Sequence, residues 1–306
     1  MALTVHHPRP SRRGGDPETL DLFSRTDPEE GFILRCHFCG SSHPAPRACP
    51  ECHREGLATV GAGTQRVEQE LGDVVPKARM LRLDYDSVGG REGFLRAWKE
   101  ITEGDVDIIM GTQMIAKGLH LERVTLVGVV LADIGMFLPD FRADERTFTL
   151  LTQVAGRAGR ISEGEVIFQT YMPHHQVIRF ATQHDYEGFA EWELRRRKQL
   201  NFPPITKLTS ITISDPDRER AFQTAKQAAY LLTRYTTTPG CRGTQVNGPN
   251  VAPIARLNAR FRFRILVRAK THKPIANLIR AASADGSWKI PSSTRVSLDV
   301  DPLDLM

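Results

Sequence analysis

Helical and strand-like segments alternate along residues 64–171, and this alternation constrains the fold more than any other feature of the sequence. TQRVEQELGDVV has the period of an amphipathic α-helix, whereas VDIIMG and TLVGVVLAD are short apolar runs with the length of a buried strand. An alternation of helices and strands is typical of a parallel sheet with helical connections. The sequence therefore predicts an α/β domain.

The predicted elements change character near residue 200. We predict helices at 64–75, 93–104 and 144–158, and strands at 78–85, 106–111, 125–133 and 164–171. A basic helical segment, FAEWELRRRKQL, leads to Pro203 and Pro204, which indicate a boundary. Beyond it we predict strands at 207–213, 244–251, 260–269 and 294–300, and helices at 217–235 and 273–284. This order, βαββαβ, is typical of a ferredoxin-like α+β domain.

The composition is that of an ordinary globular protein with a basic bias. Of 306 residues, 40% are apolar and 25% charged, the net charge is +5, and most basic residues are arginine. Guanidinium groups match phosphate oxygens two at a time, so this balance favours a polyanionic partner, although a solvated basic surface is the alternative. Because no apolar run approaches the roughly 18 residues of a membrane span, and the N-terminus has no apolar signal region, we expect a cytoplasmic protein without a membrane partner.

Four cysteines form two CxxC pairs in RCHFCGSSHPAPRACPECH: Cys36, Cys39, Cys49 and Cys52. Paired thiolates at this spacing suit tetrahedral Zn²⁺, and a closed site of four thiolates has a structural role rather than a catalytic one. Free buried cysteines are the alternative. The sequence predicts a zinc module here.

Two stretches of the α/β region could bind phosphate or nucleic acid. A polar loop follows the strand VDIIMG, and its candidate residues are Gly111, Thr112, Gln113, Lys117 and Gly118. Ligands of open α/β sheets bind at the carboxyl ends of strands, although a polar loop after a strand is common in any protein. In LLTQVAGRAGR the candidates are Arg157 and Arg160, and the small residues between them allow a planar anionic group to approach closely.

A third candidate surface lies in the segment ARFRFRILVRAK. Because side chains alternate along a strand, Arg260, Arg262 and Arg264 share one face, and Phe261, Phe263 and Ile265 share the other. Three cations in a row on an open face repel one another, so contact with a DNA backbone is a reasonable role, and a solvated strand face is the alternative.

GTQMIAKG, a hydrophobic strand and DFRADERTFTLLTQVAGRAGR together resemble motifs V and VI of the second RecA-like lobe of superfamily two helicases. With LRCHFCG, CPEC, GAGTQRVEQEL, RLDYDS, NGPNVAPIARL and the terminal LDVDP, residues 32–306 resemble the PriA family of primosomal replication restart helicases. The QxxGRxGR form at 153–160 is the most specific of these motifs.

The resemblance implies roles for the candidate residues. Arg157 and Arg160 would be arginine fingers that neutralise charge on the transferred phosphoryl group of ATP, and Gln153 would sense the nucleotide. Residues 111–118 would contact the DNA strand and couple it to hydrolysis. The family unwinds DNA from 3′ to 5′ at stalled or branched forks, so the implied partners are forked DNA and the proteins that assemble the primosome and load the replicative helicase.

The sequence departs from the family in two respects. It contains no GxxxxGK[ST] and no DEAH-like box, so we expect ATP and Mg²⁺ to bind only with a first helicase lobe present. The family's zinc module has eight cysteines on two zinc ions, and the four here match its second half. Either Cys36 and Cys39 belong to one zinc and Cys49 and Cys52 to another, or all four close on a single zinc.

These inferences predict four regions: a disordered tail (1–31), the zinc module (32–55), a RecA-like second helicase lobe (56–200) and a C-terminal DNA-binding domain (201–306). The predicted function is replication restart and primosome assembly, as the DNA-binding C-terminal part of an ATP-dependent helicase. The alternatives are a non-catalytic DNA-binding scaffold and a remnant of a truncated or split gene without ATPase activity. A metabolic α/β enzyme is disfavoured, because the sequence supplies no nucleophile or paired acid and base at a strand end.

Overall fold

The computed structural model describes residues 3–6, 33–36, 42–44, 64–83, 90–112, 121, 123–158 and 163–305. The chain divides into two compact units. One is Val60–Arg196, and the other comprises Met1–Thr59 together with Arg197–Met306. The division lies inside a helix, close to the boundary that the sequence predicted after residue 200.

The N-terminal part of the chain contributes three short strands, β1 (Leu3–His6), β2 (Ile33–Cys36) and β3 (Ser42–Pro44). β2 pairs antiparallel with both β1 and β3. The sequence placed residues 3–6 in a disordered tail, so β1 corrects that part of the prediction. A strand of this length has too few residues for its alternation to stand out from a polar, proline-rich context.

Helices and short strands alternate in the unit Val60–Arg196. The helices are α1 (Thr64–Val74), α2 (Arg91–Glu103), α3 (Ala143–Ala155), α4 (Gln176–Thr182) and α5 (Tyr186–Leu200), the last of which ends in the other unit. The strands are β4 (Met80–Leu83), β5 (Ile108–Gly111), β6 (Leu126–Val129) and β7 (Glu165–Phe168).

The described strands of this unit are parallel, as the alternation predicted. β4 pairs with β5, and β6 pairs with β7, in two separate two-stranded sheets. Leu83 of β4 packs with Ala97 of α2 in one apolar cluster. Phe148 and Leu151 of α3 pack with Val177 of α4 in another, which also contacts β6 and β7. An apolar cluster therefore joins each sheet to neighbouring helices.

The segment 125–133 was predicted as one strand, but β6 ends at Val129. Leu131 has a positive φ of 54°, and a 3-10 helix follows at Ile134–Phe137. The carboxylate of buried Asp133 accepts hydrogen bonds from Thr170 Oγ1 at 3.0 Å and from the Tyr171 amide at 2.8 Å. The apolar run after β6 therefore belongs to a turn that is buried at Ala132 and Asp133 and is bonded to the segment after β7. Its composition alone is that of a strand.

The C-terminal unit has the predicted order βαββαβ. Its elements are β8 (Lys207–Asp215), α6 (Arg218–Tyr235), β9 (Gln245–Leu257), β10 (Arg260–Ala269), α7 (His272–Ala284) and β11 (Arg295–Val300). The strands form one antiparallel sheet in the order β11-β8-β10-β9. The two central strands are therefore β8 and β10, and β9 and β11 are the edges.

One apolar core joins this sheet to its helices. Ile213 of β8 and Ile265 of β10 are fully buried, as are Leu232 of α6 and Leu278 of α7. Each such side chain contributes about 1.5 to 3 kcal/mol through the area that it removes from water. The face of α6 toward the core is rich in alanine, which lets the helix lie close to the strands: Ala221, Ala225, Ala228 and Ala229.

Candidate nucleic-acid interface

Strand β10 has one apolar face and one basic face. Phe263, Ile265, Val267 and Ala269 are buried in the core with α6 and α7. Side chains between them project from the opposite side of the sheet. Four of these are arginines, and we call them the arginine face: Arg260, Arg262, Arg264 and Arg268.

Arg260 is bonded to neighbouring backbone. Its Nη2 donates to the carbonyl of Ser214 at 2.8 Å and to the carbonyl of Ser293, and its Nε donates to Ser214 Oγ at 3.3 Å. The guanidinium therefore joins the end of β8 to the loop before β11. This arginine, predicted to face phosphate, holds two segments of the domain together.

Arg264 and Arg268 are likewise bonded to backbone carbonyls. Arg264 Nη1 donates to the carbonyl of Leu305, near the end of the described chain. Arg268 Nη1 donates to the carbonyl of Leu200 at 2.9 Å, and its guanidinium lies over the ring of Phe202, 5.1 Å from the centroid. A cation at the last carbonyls of a helix also interacts favourably with the helix dipole, so Arg268 stabilises the end of α5.

Arg262 differs from the other arginines of this face. Its side chain is half-buried, and within the described residues it has no hydrogen-bond or ion-pair partner. Burial lowers the pKa of the Arg262 guanidinium from its ordinary value, because the surroundings solvate the charge less well than water does. Arg262 is therefore a cation whose donors an anionic ligand could satisfy.

A break in the β9 ladder explains this isolation. Phe261 pairs with Arg256 and Phe263 with Val251, so the stretch 252–255 of β9 bulges out opposite Arg262. A bulge of this kind leaves no residue directly across the strand and redirects nearby side chains. On its β9 side, Arg262 therefore has no paired residue in the segment NGPNVAPIARL.

Polar side chains lie beside Arg262 and Arg264 on this face. Thr212 and Ser214 of β8 lie across from Arg264 and Arg262, and exposed Asn250 of β9 lies across from Arg264 on the other side. Hydroxyl and amide groups beside a guanidinium are the usual partners of phosphate oxygens. The surface can therefore bind a phosphate at Arg262, with polar side chains of β8 and β9 nearby.

A buried carboxylate that the sequence reasoning missed supports this surface. Asp215 ends β8, and one of its oxygens accepts from Arg220 Nε at 3.0 Å and Nη2 at 2.8 Å. Its other oxygen accepts from the hydroxyls of Ser293 and Thr294, each at 2.7 Å. The Arg220 guanidinium holds the pKa of Asp215 well below its usual range, and the two hydroxyls act in the same direction. Asp215 thereby fixes the loop whose carbonyl binds Arg260.

The residues predicted for nucleotide and strand coupling are described in part. Gly111 ends β5 and Thr112 follows it, both exposed at the carboxyl end of a parallel strand. Gln153 is exposed in the last turn of α3, and Arg157 is half-buried just beyond the end of that helix. The other predicted residues of this group lie outside the described residues: Gln113, Lys117, Gly118 and Arg160.

The three consecutive arginines of α5 hold the fold in different ways. Arg195 lies 3.5 Å from Glu191 on the exposed side of the helix. Arg196 forms an ion pair with Asp144 of α3 and lies over the ring of Trp192, 4.6 Å from its centroid. Arg197 is buried. The charge run is therefore explained by contacts within the protein.

Of the predicted zinc ligands, Cys36 is the last residue of β2, and Cys39, Cys49 and Cys52 lie outside the described residues. β2 and β3 are adjacent antiparallel strands, and the first CxxC pair begins at the last residue of β2. Among the described residues there is no cluster of three histidine, cysteine or acidic side chains that could hold a metal ion. The described helices also include none with the length and apolar character that crossing a membrane requires.

Comparison with known proteins supplies the family. The profile described as "Primosomal protein N C-terminal domain" matches residues 198–303, which include the whole βαββαβ sheet. The replication restart protein PriA of Bacillus subtilis is 39% identical over 278 residues, and those of Synechocystis and Haemophilus influenzae are 37% and 35% identical over 275 and 277 residues.

These alignments cover 89 to 90% of this chain but 32 to 37% of the three relatives. The chain thus spans about a third of the length of the curated relatives it matches. The similarity runs through both compact units, and the family profile lies on the C-terminal one. The chain therefore corresponds to the C-terminal part of the PriA family of replication restart proteins.

Proposed function

We propose that this chain is the DNA-binding C-terminal part of a replication restart protein that acts at stalled or branched forks. Its relatives are named replication restart proteins, and the family profile lies on the unit that carries the arginine face. The observation that carries the proposal is the half-buried, unpartnered guanidinium of Arg262, within the described residues. The partners would be forked DNA and the proteins that assemble the primosome and load the replicative helicase, in the cytoplasm.

A DNA phosphate satisfies Arg262 better than water does. A guanidinium donates two parallel hydrogen bonds to one phosphate, and such charge-assisted bonds are about twice as strong as neutral ones. Arg262 has already lost part of its hydration in the folded protein. A phosphate therefore attracts its charge with little further loss of hydration. Arg260 and Arg264 lie on the same face of the same strand, and their bonds to backbone carbonyls hold in place the segments around this contact.

The Arg262→Ala variant is expected to lower affinity for forked DNA on the order of tenfold, and to reduce the slope of log K against log salt by about 1. Fluorescence anisotropy with a labelled fork and a labelled plain duplex, across a salt series, measures both quantities. Arg242→Ala is the matched control, because it removes an exposed arginine from the loop before β9 and leaves the sheet unchanged.

Two results would count against this role for Arg262. One is an equal loss of affinity in Arg262→Ala and Arg242→Ala, which would mean that only net charge matters. The other is a wild-type chain that fails to bind forked DNA at low salt. Circular dichroism of each variant verifies that the fold is retained.

We also propose that residues 56–200 form a RecA-like second helicase lobe. Parallel β4–β5 and β6–β7 pairs covered by helices support this, together with the position of Arg157 just after α3. In that lobe Arg157 and Arg160 would be arginine fingers, with Gln153 beside the nucleotide and residues 111–118 beside the DNA strand. ATP and Mg²⁺ would bind only when a first lobe holds them. The second candidate function, for the chain alone, is therefore a non-catalytic DNA-binding scaffold.

Zinc is the third part of the proposal. Four thiolates in two CxxC pairs fit tetrahedral Zn²⁺, and the first pair begins at the last residue of β2, which pairs antiparallel with β3. Cys36, Cys39, Cys49 and Cys52 would hold one shared zinc or two half sites. We expect elemental analysis of the purified chain to find zinc, with about one ion per chain for a shared site. A metal-free, folded protein would exclude both arrangements.

A further inference from the structure

Strand β11 is an edge strand with unusual exposure. Within the described residues it pairs only with β8, so its other side is open. Leu298 is 52% exposed and Val300 60% exposed, and the strand contains neither proline nor lysine. Soluble proteins normally protect such an edge with lysine, proline or a covering segment, because open strands pair with other chains.

The outward hydrogen-bonding groups of β11 can be assigned. The amide of Asp301 donates to the carbonyl of Leu208 at 2.8 Å, so residue 301 points its backbone groups toward β8. In an antiparallel ladder this direction alternates from residue to residue. The N–H and C=O groups of Val296, Leu298 and Val300 therefore point away from the sheet, along an open edge.

Two charges on this strand have no partner among the described residues. Arg295 and Asp299 are exposed on the same face of the sheet. They are separated by roughly 13 Å along the strand, at about 3.3 Å per residue, so they cannot pair with each other. A second strand placed alongside could bring opposite charges to both of them.

We propose that β11 pairs antiparallel with β11 of a second copy of this chain, in a register centred on Ser297. A two-fold axis perpendicular to the sheet keeps the same face of both strands on the same side. Each residue pair must therefore join two odd-numbered or two even-numbered residues. In this register Arg295 lies opposite Asp299 of the second copy, twice, and Val296 lies opposite Leu298. The strand is therefore complementary to itself in charge and in apolar character.

The neighbouring register is less favourable. If Leu298 lay opposite itself, Arg295 would have to pair with Asp301. Asp301 already lies 3.0 Å from His272 Nε2, and its φ of 51° takes it out of extended conformation. The register centred on Ser297 pairs both charges with residues that are within the strand.

The resulting dimer joins two four-stranded sheets into one of eight strands, with both arginine faces on the same side. The contact is a single strand pair, smaller than a standard interface of about 1,600 Å², so the association should be weak and visible only at elevated protein concentration.

Charge exchange tests the register. In sedimentation velocity over a concentration series, the full chain should dimerise, and Arg295→Asp and Asp299→Arg should each raise the dimer dissociation constant by at least about tenfold. Mixed together, these two variants should restore association, because each then offers the charge that the other needs. Tyr230→Asp, at an exposed position on α6, is the control and should dimerise like the wild type. A wild-type chain that is monomeric throughout, or variants whose mixture stays monomeric, would overturn the proposal.

A cross-link gives an independent test. Ser297 directs its backbone groups toward β8, so across the new edge it forms the closer type of antiparallel pair, with Cα atoms about 4.5 Å apart. That separation is within the range of a disulfide. Under mild oxidation Ser297→Cys should form a covalent dimer that Ser287→Cys and the wild type do not form. Equal cross-linking of all three proteins would contradict the register.

Discussion

Replacing Asp215 by asparagine is expected to lower the free energy of unfolding of the C-terminal unit by about 2 to 4 kcal/mol at pH 7. The buried carboxylate accepts charge-assisted bonds from Arg220 and further bonds from the hydroxyls of Ser293 and Thr294. Asparagine has one acceptor oxygen and no charge, so it leaves at least one of these donors without an acceptor. Chemical denaturation followed by circular dichroism measures the loss.

The lowered pKa of Asp215 also predicts how this loss of stability changes with pH. The pKa of Asp215 is lowered in the folded protein, so its stabilising contribution is complete above the ordinary carboxyl pKa of about 3.9. That contribution is lost as pH falls from the ordinary carboxyl pKa toward the folded pKa, because the unfolded protein then takes up a proton that the folded protein does not. The difference in stability between the wild type and Asp215→Asn should therefore be largest near neutral pH and shrink below about pH 4.

A matched control separates this effect from general acid sensitivity. Glu219→Gln removes an exposed carboxylate in the first turn of α6, and it should change stability little at any pH. If the wild type and Asp215→Asn differed by the same amount at pH 7 and pH 3, the ionised carboxylate would not be the source of the stability.

The sequence predicted β10 in full because its pattern repeats over many residues. Arginine and apolar side chains alternate from residue 260 onward, and every apolar position from Phe263 to Ala269 except Leu266 is buried. Helix α4 was missed, because its few residues contain barely two turns of periodic pattern. The strand predicted at 125–133 was too long, because the turn after β6 has the same apolar composition as a strand.

The candidate site was less predictable than the sheet that carries it. Alternation showed that Arg260, Arg262 and Arg264 share a face, but it contains no information about acceptors far away in the chain. The carbonyls of Ser293 and Leu305 come to Arg260 and Arg264 only through the tertiary fold. The role of Arg262 depends on a bulge in β9, which the sequence did not indicate.

The sequence around Asp215 indicated a helix cap but not the buried contacts of this carboxylate. The segment SDPDR ends a strand and begins a helix, where aspartate is favoured because it accepts from free backbone amides. Asp217 has that capping role, accepting from the Arg220 amide at 2.7 Å. Asp215 accepts from the Asp217 amide but also from side chains some 80 residues away, at Ser293 and Thr294. Sequence proximity identifies the first kind of contact and not the second.

The purified chain is expected to hydrolyse ATP no faster than buffer, with or without forked DNA. Arginine fingers raise the rate of phosphoryl transfer by about 10³ to 10⁵, but only on a phosphate that a phosphate loop and Mg²⁺ already hold. The sequence has no GxxxxGK[ST] to form that loop, so Arg157 would have no bound phosphoryl group on which to act.

A phosphate-release assay on the wild type and Arg157→Ala, each with and without forked DNA, measures this expectation. Trace activity that is equal in both proteins would come from a contaminating enzyme, because a finger acts only through its own charge. Activity that DNA stimulates and Arg157→Ala abolishes would contradict the prediction and would mean that the chain binds ATP through residues other than a phosphate loop. The variant therefore distinguishes a motor from a lobe that requires a partner for catalysis.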